Sequence, residues 1–139
     1  MIKKIYIDSD IILDLLQVRH PFHDDAFSLF AQIENGIVKG FVSPLVFSNL
    51  FYILRKDGNN KSAVDSLIRL KMLLKIVSIG EKIIELALTS SFNDFEDAIQ
   101  YFTAIECKAD CLITRNKKDY KNADIPVLFP DECLKLITQ

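Results

Sequence analysis

The sequence predicts a single α/β domain, residues 1–139, built on a parallel sheet with helices over both faces. Three observations predict it. Short apolar runs alternate along the chain with longer segments of helical periodicity, the rhythm of strands joined by crossover helices. Most of those runs are continuously apolar, as strands covered on both faces are. The chain has 139 residues, half of them apolar, enough to bury one core without covalent staples.

The elements follow in order. Residues 2–7 alternate and are rich in Ile and Tyr, which predicts a strand running into Asp8. Residues 11–18 carry apolar side chains at helical spacing, and Pro21 breaks the chain after them. A second helix is expected over 24–34, with Ala26, Phe27, Phe30 and Ile33 as its buried stripe. Asn35-Gly36 stops it, because both tolerate the left-handed backbone of a helix end. Gly40-Phe41-Val42 closes a short strand. Ser43-Pro44 then reads as an N-cap followed by proline at the first helical position, opening a third helix to about Lys56. Asp57-Gly58-Asn59-Asn60 is a loop, followed by a helix over 62–74, a strand over 75–79 and a helix over 81–89. Asn93-Asp94-Phe95-Glu96 has the pattern of a capping box with Asn93 as the cap, and its helix runs to about Lys108. Residues 111–114 and 126–129 are strands, and Pro130-Asp131 starts a terminal helix.

Composition excludes several classes. No apolar stretch reaches the roughly 18–20 residues a membrane span needs, and no secretory signal layout follows the first residues, so a cytoplasmic protein is expected. Cys107, Cys111 and Cys133 are odd in number and lack CxxC spacing, which argues for free thiols rather than a disulfide frame or structural zinc. The formal net charge of −2 means that any nucleic-acid contact must come from local basic patches.

Parallel sheets gather reactive groups at the carboxyl ends of their strands. Asp8-Ser9-Asp10 follows the first strand. Asp94 and Asp97 lie three apart in the first turn of one helix and so share a face. Thr114-Arg115-Asn116-Lys117-Lys118-Asp119 follows the strand over 111–114. These groups have one geometric destination. Carboxylates brought together repel, and a divalent cation relieves that repulsion. Ligands that are all oxygen suit Mg²⁺ or Mn²⁺, which could activate water and stabilise a phosphoryl oxygen. A helix cap is the plain alternative for Asp8 or Ser9, and dipole complementation for Asp94.

The motifs resemble those of the PIN-domain family. Ile5-Tyr-Ile-Asp8-Ser-Asp10-Ile-Ile-Leu-Asp14 resembles the family's opening strand and helix, and Ser43-Pro-Leu-Val-Phe-Ser-Asn49-Leu-Phe-Tyr its third helix. Asp94-Phe-Glu-Asp97-Ala-Ile-Gln is similar to its central acidic helix, and Leu-Ile-Thr114-Arg-Asn116-Lys-Lys-Asp119-Tyr to its last active-site loop. Ile125-Pro-Val-Leu-Phe-Pro130 resembles its closing strand. The resemblance implies a three-layer α/β/α fold with about five parallel strands. It implies an endoribonuclease dependent on Mg²⁺ or Mn²⁺, of the kind that is the toxin of a toxin–antitoxin pair, with a small antitoxin partner and a homodimeric state. By residue, it implies Asp8 and Asp97 as metal-binding carboxylates, Asp119 at a more variable acidic position, and Asp94 as an auxiliary group. Thr114 and Asn116 match polar positions, with Ser9 beside them. Two positions depart from the family: Asn49 stands where a glutamate is usual, and Asp10 where an asparagine is usual, so Asp10 is a candidate ligand compensating for Asn49.

RNA would be steered by Arg115, Lys117, Lys118 and Lys121, with Arg55, Lys56 and Lys61 as further candidates, a solvated surface being the plain reading of each. Phe22, Phe47, Phe51 and Tyr52 are expected in the core or a dimer interface, and His20 and His23 at the surface. Two other functions stay open. A PIN-like RNA- or protein-binding module with a weakened metal site would explain Asn49. Asp8-x-Asp10 after a strand also resembles the haloacid-dehalogenase phosphatases, where the first aspartate is a nucleophile.

Overall fold

The computed structural model describes residues 1–137. The elements run β1 (Lys4–Ile7), α1 (Ser9–Leu16), α2 (His23–Glu34), β2 (Lys39–Val42), α3 (Pro44–Asp57), α4 (Asn60–Leu73) and β3 (Leu74–Ile76). There follow α5 (Glu81–Leu88), α6 (Phe95–Glu106), β4 (Cys111–Ile113), a 3₁₀ turn (Lys117–Tyr120), β5 (Val127–Leu128) and α7 (Pro130–Ile137). The strands form one sheet in the order β3-β2-β1-β4-β5, every pairing parallel. This is the three-layer α/β/α architecture expected.

The alternation of β1 divides the core. Ile5 and Ile7 join Val42, Leu74, Cys111 and Ile113 under α1, α2, α3, α4 and α7. Tyr6 faces the other way and packs with Leu112, Tyr101, Ala104 and Tyr120, on the side that α6 covers. Ile83 and Ala87 of α5 pack against Ala98 and Ile99 of α6. Each fully buried aliphatic side chain contributes about 1.5–3 kcal/mol relative to exposure, which makes this two-sided burial the main force holding the sheet between its helices. Gly40 lets α2 approach β2 closely: a Cβ there would meet Leu74 Cδ2 at 2.6 Å and Ile33 Cδ1 at 2.9 Å.

Local signals set most boundaries. Asn35 and Gly36, the latter at φ +76°, end α2 as expected. Five expectations are corrected or refined. Phe27 is exposed, and Leu29 takes its place in the buried stripe with Ala26, Phe30 and Ile33. The cap of α6 is Asp94 rather than Asn93: Asp94 Oδ1 accepts from the Asp97 N–H at 2.9 Å, a charged acceptor at the positive end of the helix. Helix α4 starts two residues before the expected Ser62, because Asn59 caps it and Ser62 returns the bond to Asn59 N–H. Ser43 holds the N-cap position of α3, but its side chain makes no cap bond. Instead its N–H donates to Tyr6 Oη at 3.1 Å. Strand β3 is also shorter than expected, ending at Ile76.

The three cysteines are free, Cys111 and Cys133 buried and Cys107 half-buried. No described helix is long and apolar enough to cross a membrane.

Candidate functional site

In the order β3-β2-β1-β4-β5 the chain steps outward from β1 to β3, then returns to β4 on the other side of β1. The crevice beyond the carboxyl ends of β1 and β4 is therefore the topological switch point. Asp8 stands at its centre. Its N–H donates to Ile113 O at 2.9 Å, so β1 stays paired up to the aspartate. Extended backbone at Asp8 keeps the alternation of β1 and turns the side chain to the face of Tyr6.

Three donors hold the Asp8 carboxylate. The Ser9 N–H reaches Oδ1 at 2.8 Å, while Thr114 Oγ1 at 2.8 Å and Tyr120 Oη at 3.2 Å both reach Oδ2. Ser9 acts through its backbone as the first residue of α1, with Asp8 as the cap. The capping reading and the site reading of Asp8 thus describe one arrangement. Thr114, fully buried, also accepts the Asn116 N–H at 3.1 Å, which fixes the loop after β4.

Asp10 lies one side of Asp8. Asn116 Nδ2 donates to its Oδ2 at 2.9 Å, and its Oδ1 is buried without a hydrogen-bond partner among the described residues. Asp97 and Asp119 lie on the other side, lining a cavity of about 300 Å³ together with Asp94, Lys118, Lys121 and Asn122. Beyond them, Asn49 Nδ2 donates to Glu96 Oε1 at 3.0 Å.

The electrostatics agree with crowding. Burial, opposed by its three donors, pushes the Asp8 carboxyl up, and the charge of Asp119 adds to the rise. Burial and then the Asp8 charge push Asp10 up to about 7. Asp97 rises to about 7 through burial, then the charges of Asp94, Asp8, Asp119 and Glu96. Glu96 is raised by burial, Asp94 and Asp8, against the Asn49 hydrogen bond that lowers it. Carboxylates that each raise their neighbours are an oxygen-donor set short of positive charge, and the unpartnered Asp10 Oδ1 is a ready lone pair. Mg²⁺ or Mn²⁺ fits that chemistry. Among the described residues, no three His, Cys, Asp or Glu side chains stand close enough together to hold an ion as placed. A cation would have to draw the flanking carboxylates in toward Asp8.

The basic residues divide. Lys118 and Lys121 are exposed at the rim of the Asp97–Asp119 cavity. Arg115 is instead held by Asp14 and lies over the Phe22 ring, 4.0 Å from its centroid. Lys117 pairs with Glu132 and lies 4.2 Å from the Phe129 ring centroid. Arg55 and Lys56 stand apart from these: α3 leaves the carboxyl edge at Pro44, eleven residues carry Arg55 about 16 Å along the helix from that start, and Arg55 lies over the Phe51 and Tyr52 rings. Lys61 lies in the first turn of the following helix and pairs with Asp65 at 3.4 Å. Phe22 and Tyr52 are exposed rather than core, Phe47 and Phe51 are half-buried against the main core, and His20 is exposed while His23 is half-buried.

Sequence reasoning missed five residues. Asp14 was legible as a carboxylate within the apolar run Ile11-Ile-Leu-Asp-Leu-Leu. Tyr120, Glu96 and the buried pair of Tyr6 Oη donating to Gln100 Oε1 carry no local signal of their roles.

The family model for the PIN domain matches residues 4–118. No curated protein sequence matches the chain. Among solved structures, VapBC-1 from nontypeable Haemophilus influenzae is similar at TM-score 0.68 and 15% identity, covering 92% of this chain and 98% of that one. VapBC2 from Rickettsia felis, bound to a DNA fragment from its promoter, gives 0.66 and 15%, covering 91% and 98%. Mycobacterium tuberculosis VapC20, described as a toxin cleaving the sarcin–ricin loop, gives 0.62 and 17%, covering 78% and 86%. At these identities the likeness is one of fold.

Proposed function

The chain belongs to the PIN-domain family, and on that premise we propose that it is an endoribonuclease dependent on Mg²⁺ or Mn²⁺, the toxin of a toxin–antitoxin pair. The observation that carries the reading is the acidic cavity of Asp94, Asp97 and Asp119 beside the switch point, where the charge of Asp8 also acts on Asp97, with Lys118 and Lys121 on the rim. Asp8 and Asp97 would hold the cation, with Asp10 and Asp119 beside them. A cation held there would supply a nucleophilic water near neutral pH and offset charge on the phosphoryl oxygen.

The chain's own groups do the rest. Thr114, Tyr120 and the Ser9 N–H use up to three acceptor positions of Asp8 and so fix which lone pair faces the cleft. Asn116 does the same for Asp10. The two lysines draw the phosphate backbone to an otherwise acidic edge, where an anionic chain would be repelled. The similar structures described as VapBC support a protein partner for this chain, an antitoxin.

Incubating the purified protein with mixed RNA substrates and Mn²⁺ tests the reading, beside Asp8→Ala and Asp97→Ala. Cleavage that disappears in both variants and under chelation is expected. Intact folding without cleavage would favour a second reading, a binding module with a weakened metal site, for which Asn49 and the spread of the carboxylates speak. The phosphatase reading loses its ground with the family membership.

A further inference from the structure

We infer that Glu96, aimed by Asn49, is a carboxylate of the cation site, supplied by α6 on the side of the cleft where α3 offers only an amide. The inference rests on the cation-dependent reading above and adds to it a ligand that no part of that reading uses.

The cleft has two flanks. On one, Asn116 of the loop after β4 holds Asp10 at 2.9 Å, close to Arg115 and Asp14. On the other, Asn49 of α3 holds Glu96 at 3.0 Å. Each flank therefore presents one carboxylate pinned through a single oxygen by an asparagine amide from a different element. Asp10 has Asp8, Asn116, Arg115 and Asp14 as its neighbours and no hydrogen bond to Asn49. Glu96 lies on the Asn49 flank and immediately precedes Asp97.

The pinning is directional. An amide N–H₂ donates and cannot bind a cation, but it can turn a carboxylate so that the second oxygen faces a chosen way. Glu96 Oε2 has no hydrogen bond or ion pair among the described residues. Glu96 does not cap α6, since that work belongs to Asp94. A glutamate side chain is also long enough to move toward Asp8 without shifting the backbone. An amide holding a ligand's outer oxygen is the arrangement by which neighbouring residues tune a bound metal.

The test is titration of the full chain with Mn²⁺ alone, followed by calorimetry and by the Mn²⁺-dependent rise in Tm, with no substrate present. Four variants are compared with wild type: Glu96→Gln, Asn49→Ala, the double change Asn49→Glu with Glu96→Gln, and Asp97→Asn. Glu96→Gln should weaken Mn²⁺ binding about tenfold or more, and Asn49→Ala less, because the carboxylate remains but is no longer aimed. The double variant returns a carboxylate to the same flank and should recover part of the loss. Tm in chelator should barely change for Glu96→Gln, whose side chain is exposed. Wild-type affinity in Glu96→Gln, with binding lost in Asp97→Asn, would overturn the role of Glu96 and leave the cation site standing. No Mn²⁺ binding by the wild type would overturn both.

Discussion

Arg115 clasps Asp14 with two hydrogen bonds, Nε to Oδ2 at 2.6 Å and Nη2 to Oδ1 at 3.1 Å. Asp14 is 1% exposed. The pair joins α1 to the loop after β4, and the next residue along that loop, Asn116, reaches Asp10. Removing the arginine leaves a buried carboxylate without its cation, the costly way to break such a pair. Arg115→Met should destabilise the protein by about 3 kcal/mol, read from urea unfolding. Asp14→Asn combined with Arg115→Met should recover part of that loss. A single variant no less stable than wild type would show that the clasp is dispensable.

Tyr120→Phe keeps the ring against Phe92 and removes only the hydroxyl that donates to Asp8 Oδ2. The lost bond should cost about 1.5–3 kcal/mol, as for a hydrogen bond to a charged group. Mn²⁺ affinity should fall with it, because Asp8 is then free to turn; calorimetry reads both the direction and the size.

Asp10 and Asp97 are lifted to about 7, against an ordinary carboxylate near 3.9 in the unfolded chain. Between those values the folded protein holds protons that the unfolded chain has released. Folding stability from these groups is therefore present at acid pH and lost as pH rises through about 7. In chelator, Tm should fall between about pH 4 and 7 and level off above, and Asp97→Asn should flatten that fall. Mn²⁺ affinity should rise over the same interval, since the ion displaces the protons. A Tm that climbs with pH in chelator would contradict the crowding.

Lys118→Glu and Lys121→Glu should each weaken RNA binding and reduce its salt dependence by about one phosphate contact. Arg55→Glu should leave both unchanged, because its site lies far along α3 from the carboxyl edge. Filter binding at two salt concentrations separates them. Equal effects at all three positions would mean that the RNA path runs along α3 instead.

The order of strands and helices, and the places where strands end in polar residues, are written in the amino-acid sequence. Hydrophobic period, helix caps and turn residues are local, so Asp8, Asp97 and Thr114 were legible at one edge before any packing was known. Parallel pairing followed from the same rhythm, because strands joined by crossover helices must run the same way. Where neighbours compete, local signals do not decide: Asp94 rather than Asn93 takes the cap, and Leu29 rather than Phe27 takes the buried stripe. Tertiary structure alone decided how the site is wired. Asp14 and Arg115 are 101 residues apart, Asp8 and Tyr120 112, and Asn49 and Glu96 47. It withdrew Arg115 from the free basic residues and left Lys118 and Lys121 at the rim. The physical reason is that a helix period fixes which face a side chain occupies, whereas its partner depends on which other element the sheet order lays against that face.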